Sequence, residues 1–108
     1  MSAALPLQAD VPPQQDMRVA PHVTVCIVTF HNRDEVARCI EALGRSTYPA
    51  FDVVICENGG RASWEALRAV LPERLSGGQP IACLCAPHNL GYAGGVNACI
   101  KASGQADA

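Results

Sequence analysis

The stretch Val23 to Asn32, VTVCIVTFHN, decides the fold. Its apolar, β-branched character without clean alternation suits a strand buried on both faces, as in the parallel sheets of α/β proteins. The run stops at a short polar turn and leads into a helix. In open parallel sheets ligands bind outside the carboxyl ends of the strands, so Thr29, Phe30, His31 and Asn32 fall where chemistry is expected.

Downstream, Asn32 is placed to cap a helix with Glu35 at its third position. That helix is expected to run to about Ser46. Val36, Ile40 and Leu43 form its apolar stripe, and Asp34 with Arg38 and Glu41 with Arg45 support its solvent face. Tyr48-Pro49 breaks it, because the residue before a proline is pushed out of helical geometry. A second apolar run, Phe51 to Glu57, ends at an acid followed by Asn58, Gly59 and Gly60. Ser63 is a plausible cap for a second helix, with Trp64, Leu67, Val70 and Leu71 as its buried stripe and Ser76-Gly77-Gly78 as its stop. A third strand, Ile81 to Ala86, precedes the loop HNLGYAGG, and a last helix runs from Ala93 or Gly95 to Ser103, burying Val96, Cys99 and Ile100.

This order of strand, helix, strand, helix, strand, helix implies an α/β fold, a three-layer α/β/α arrangement with a parallel sheet. Upstream, residues 1–22 carry Pro6, Pro12, Pro13 and Pro21 and no periodicity, which reads as a disordered leader. Residues 23–108 then form the folded part. Three strands are few for a parallel sheet, which needs cover on both faces, so this part reads as the truncated first half of a larger domain, marginal in stability or prone to associate.

Composition excludes several classes. A net charge of −2 gives no electrostatic case for nucleic acid or an anionic membrane. No apolar run approaches the ~20 residues of a membrane span. The six cysteines lie in strand and helix runs, and the start lacks a signal peptide's basic region and apolar core. Free thiols and a cytoplasmic setting follow, with a peripheral position at the inner membrane face compatible. Cys83 and Cys85 share a strand face, but no CxxC or His partner supports a metal site there.

Three polar loops follow the three strands, and parallel strands would open all of them onto one edge. Phe30 can pack against a flat base, and Glu57 can accept hydrogen bonds from a base imide or ribose hydroxyls. Gly91, Gly94 and Gly95 allow close backbone approach, and the helix start behind them presents amides to phosphate oxygens. Other nucleotide motifs are missing. There is no G-x-x-x-x-G-K-[ST], and GYAGG follows the third strand instead of spelling G-x-G-x-x-G after the first. No G-x-S-x-G elbow supports a serine hydrolase. His31 and His88 lie on the site edge but read as exposed turn residues.

Taken together and in order, VTVCIVTFHNRDEVARCIEAL, YPAFDVVICENGG and PHNLGYAGGVNACIKASGQAD resemble the amino-terminal half of family 2 glycosyltransferases, of nucleotide-diphospho-sugar transferase (GT-A, Rossmann-like) fold, in particular the rhamnosyltransferase-like branch. The most specific piece is N-L-G-Y-A-G-G-x-N, Asn89 to Asn97. The resemblance implies transfer of a sugar from a nucleotide-diphosphate-sugar to an acceptor glycan or lipid-linked sugar, with inversion, in cell-surface polysaccharide or glycan synthesis. It implies nucleotide-binding roles for Thr29, Phe30, Asn32, Glu57, Asn58, Gly59, Asn89, Gly91, Gly94, Gly95 and Asn97. Glu57 stands where the family usually has aspartate. The resemblance also implies a divalent metal, Mg2+ or Mn2+, for the full-length enzyme. Its Asp-x-Asp ligands, the acceptor half and the catalytic carboxylate are absent from this chain, so these residues alone are expected to be inactive. The competing expectation is a non-catalytic nucleotide-binding fragment or regulatory module.

Overall fold

The computed structural model describes residues 21–107, so the expected leader lies almost wholly outside the described residues. The elements are β1 (Val23–Thr29), α1 (Arg33–Leu43), β2 (Phe51–Glu57), α2 (Arg61–Val70), β3 (Ile81–Cys85) and α3 (Gly91–Asp107). The three strands form one parallel sheet in the order β1-β2-β3. The register pairs Val23 with Phe51 and Thr29 with Glu57, and Glu57 in turn with Cys85, so all three strands finish level.

Alternation along the central strand divides the core in two. Phe51, Val53 and Ile55 pack with Val36 and Ile40 of α1 and Leu67 of α2 on one face. Val54 and Cys56 pack with Cys99 of α3 and Ala86 on the other. Helices therefore cover both faces, which is the expected three-layer α/β/α arrangement.

The strand buried on both faces is β2, not β1. Six residues of β2 are buried, whereas in β1 only Thr29 is. Both strands carry the same kind of apolar sequence. Position separates them, because β2 has a neighbour on each side and β1 has one among the described residues.

Local corrections share a physical origin. Helix α1 ends at Leu43 with a turn at Gly44, short of Ser46. Helix α2 stops at Val70 because Pro72 forces Leu71 into extended geometry, φ −96 and ψ 139, so the Ser76-Gly77-Gly78 turn has another task. Gly78, at φ +93, donates its N–H to Leu75 O at 2.8 Å and folds the connection back so that Leu75 enters the core. Val70 and Ile100, expected to be buried, are about half exposed on the outer sides of their helices. The expected ion pairs of α1 are not those formed. Arg33 sits 3.6 Å from Asp34 and Arg38 3.9 Å from Glu35, exposed contacts that stabilise little.

All six cysteines are free thiols. Cys39 is exposed, while Cys56 and Cys99 are fully buried. Burial, with a smaller push from neighbouring Cys26 and Cys56, raises the Cys99 thiol to about 12. Burial and then the Glu57 charge raise Cys83 to about 11. Native chain exposed to a thiol-alkylating reagent should therefore be modified at Cys39 first, with Cys99 protected until unfolding. An unfolded thiol titrates at 9.0, so between there and about 12 the folded chain holds more protons than the unfolded one. Stability should fall as pH rises through that window, and Cys99→Ala should flatten the slope. A urea midpoint unchanged from pH 8 to pH 10.5, or equal labelling of Cys99 and Cys39, would contradict this.

Candidate functional site at the carboxyl edge of the sheet

The level strand ends bring the three polar loops to one rim. Asn58 N–H donates to Thr29 O at 2.8 Å and Ala86 N–H to Glu57 O at 3.0 Å, extending the ladder one residue past each strand.

At the centre stands Glu57, only 1% exposed. Its Oε2 accepts the backbone N–H of His31 at 3.1 Å and that of Gly59 at 2.9 Å. His31 can donate in this way because it lies in the left-handed region, φ +59, which non-glycine residues seldom adopt. Glycine is required at 59 by space. A Cβ there would sit 2.7 Å from Glu57 Oε2 and 2.8 Å from His31 Cε1. No described residue bonds Glu57 Oε1.

The carboxylate faces a cleft of about 330 Å3 lined by His31, the α1 start from Asn32 to Glu35, and Ser63 and Ala66 of α2. Asn32 occupies the N-cap position of α1, but its side chain makes no capping bond, which corrects the capping-box expectation. The first amides of α1 thus lack both a helical partner and a side-chain cap. Ser63 is likewise not a cap. It is the third residue of α2, behind Gly60, and its hydroxyl bonds His31 Nδ1. Thr29, level with Glu57 on β1, is buried, and its Oγ1 has no partner among the described residues.

Across the sheet, Asn58 organises the other half of the rim. Its Oδ1 accepts Leu90 N–H at 3.1 Å, and its Nδ2 donates to Gly91 O at 3.1 Å. Asn89 Oδ1 accepts Gly91 N–H at 2.9 Å, fixing the turn in which Gly91 takes φ +73. The glycine segment is not a loop, as expected, but the first turn of α3. Gly95 is buried there because a Cβ would lie 2.6 Å from Val28 Cγ1, and only glycine lets α3 settle onto β1. Gly94 does the same against Leu90, with a Cβ 2.8 Å from Leu90 Cβ.

The predicted residues thus divide by task. Glu57, Gly59 and Asn32 gather at the cleft, with Thr29 beside them. Asn58, Asn89, Gly91, Gly94 and Gly95 build the α3 turn. Phe30 is 50% exposed and meets His31 edge to face at 4.3 Å, while Asn97 is exposed on α3. His31 was expected on the site edge only as an exposed turn residue, and Ser63 only as a helix cap; neither was expected to organise the cleft. The backbone twist that turns the His31 N–H inward has no sequence signal beyond a polar residue in a tight turn.

A parallel sheet with an acid at the end of its middle strand, a cleft beside it and a glycine-opened helix start on the same rim defines an α/β module whose polar loops share one edge. The chain belongs to glycosyl transferase family 2, whose family model matches residues 24–105. No curated protein and no solved structure matches it significantly. Membership makes it a glycosyltransferase domain, acting between a nucleotide-sugar donor and an acceptor. No described helix is long and apolar enough to cross a membrane. Among the described residues no group of three or more His, Cys, Asp or Glu side chains is placed to hold a metal ion.

Proposed function

We propose that this rim is the donor half of the transferase site, with the base beside Glu57 and the diphosphate at the start of α3. The observation that carries the reading is the split in charge. The cleft holds the carboxylates of Asp34, Glu35 and Glu57, with Arg33 beside Asp34 and Arg38 beside Glu35, so the buried Glu57 is the one without a cation partner among the described residues, which suits a neutral hydrogen-bonding ring. The first turn of α3 contains no acidic residue, and its amides point along a helix dipole that favours anions. A donor lying from one to the other crosses the ends of β2 and β1, passing Thr29 and Phe30.

Within this reading the chain's own residues bind and orient. Glu57 accepts from the base, the α3 amides hold phosphate oxygens, and Gly91 keeps the backbone bare for their approach. In the proposed role the cation, the acceptor site and the base that deprotonates the acceptor are supplied by other residues. Inversion at the sugar, a rhamnosyl-type donor and an acceptor in surface polysaccharide synthesis at the cytoplasmic membrane face are the finer proposals, supported by the N-L-G-Y-A-G-G-x-N motif.

The test is a titration of isotope-labelled chain with uridine diphosphate. Amide shifts should concentrate at His31, Gly59 and Tyr92 to Gly95. Shifts absent from both loops, or confined to the opposite end of the sheet, would defeat the donor-site reading.

A further inference from the structure

We infer that Cys26 of β1 and Cys99 of α3 form a dithiol pair that peroxide closes into a disulfide, tying α3 to β1. This modification site stands apart from the donor-site reading and does not depend on it.

The register of α3 on β1 places the pair. The helix runs antiparallel over the strand, and its contacts are fixed at two levels. Gly95 lies against Val28, where a Cβ would stand 2.6 Å from Val28 Cγ1. Two turns further on, Ser103 Oγ lies 2.8 Å from Thr24 Oγ1. Four helical residues advance about 6 Å and two strand residues about 6.6 Å, so helix and strand stay in step. Midway between the two contacts stand Cys99 and Cys26. Thr24, Cys26 and Val28 alternate onto one face of β1, the face that meets α3. The Cys99 thiol marks the same level from its own side. Its Sγ donates to Val54 O at 3.5 Å, and Val54 is the register partner of Cys26. Cys26 packs against the apolar cluster that contains Cys99. Cys56, in the same cluster, is level with Val28 and so lies nearer the rim.

Reach is sufficient as well. Ser103 and Thr24 meet through single γ oxygens, and cysteine carries its sulfur at the same γ position. A disulfide asks for a similarly close approach, with the Cβ atoms about 3.5–4.5 Å apart. The bare Gly95, one turn before Cys99, lets the helix come down that far.

Burial divides the roles. Cys99 is fully buried and its thiol is pushed up to about 12, so it stays protonated and shielded, whereas Cys26 is half-buried. Cys26 reacts first. Its thiolate attacks hydrogen peroxide, the O–O bond breaks, and the products are a sulfenic acid and hydroxide, which takes up a proton as water. The Cys99 sulfur then attacks the Cys26 sulfur, the S–O bond breaks, and the departing hydroxide carries off the Cys99 proton as a second water. Two thiols lose two electrons and two hydrogens, and peroxide is reduced to two waters.

The full chain carrying Cys39→Ser, which removes the exposed thiol, is treated with hydrogen peroxide. Remaining thiols are blocked in urea, and the non-reduced digest is sequenced by tandem mass spectrometry. In the folded chain the Cys26–Cys99 link should exceed every other intramolecular pair about tenfold, and it should lose that excess when oxidation is carried out in urea. The oxidised chain should unfold at a higher urea midpoint and return to the starting one with dithiothreitol, because a bond in native register constrains the unfolded chain. Cys99→Ala in the same background should show neither link nor shift, and should leave Cys26 as a sulfenic acid that dimedone traps. Cys99 recovered as a free thiol, Cys26 joined to Cys56, or a bond that leaves the midpoint unchanged or lowered overturns the inference. The map of the chain that retains Cys99 decides this even if Cys99→Ala fails to fold.

Discussion

Glu57→Ala should lose at least a hundredfold in affinity for uridine diphosphate and lower unfolding stability by about 2 kcal/mol, near the middle of the range for stranding buried donors. The effects are coupled through one oxygen. Removing the carboxylate deprives the N–H groups of His31 and Gly59 of their acceptor beneath a rim where Glu57 is 1% exposed. It also releases His31 from φ +59, a backbone state that persists only while its surroundings hold it. The two loops should loosen together. Urea unfolding and nucleotide titration of the same preparation check both halves. Unchanged stability with lost binding would mean that Glu57 contacts ligand without organising the rim.

Gly95→Ala should destabilise the fold by about 1–3 kcal/mol, although alanine is favoured over glycine by about 1 kcal/mol in a helix interior. The clash decides the sign. The new methyl would stand 2.6 and 3.0 Å from the two Val28 methyls and 3.4 Å from Asn58 Nδ2. Val28 is β-branched and stiff about its first torsion, so α3 must lift instead. Lifting strains the Asn58 bonds to Leu90 and Gly91, so nucleotide affinity should fall roughly tenfold with stability. Val28→Ala makes room, and the double variant should recover about 1 kcal/mol or more relative to the sum of the singles. Strict additivity would show that the helix settles onto β1 without needing the bare position.

Much of this architecture was legible in the chain. Two β-branched runs and a shorter third, separated by amphipathic helices, admit few topologies other than a parallel sheet, because a crossover of that length returns the chain in the same direction. Level strand ends then follow, and the polar residues after each strand share a rim. Glu57, Asn58 and the glycine segment were recognisable for that reason. Their division of labour was not. Asn58 reads as a ligand contact but spends its amide on Leu90 and Gly91, and Gly95 reads as an opening for phosphate but is packing against Val28.

Sequence alone determined the class of fold and the edge of the sheet at which the three polar loops meet, since these depend on periodicity and chain direction. Tertiary structure decided which strand is central, which glycines serve packing, and which carboxylate oxygen of Glu57 stays free. Those outcomes depend on contacts between residues far apart in the chain, such as His31 with Glu57 and Val28 with Gly95, and no local pattern encodes a contact whose partner is supplied by another element.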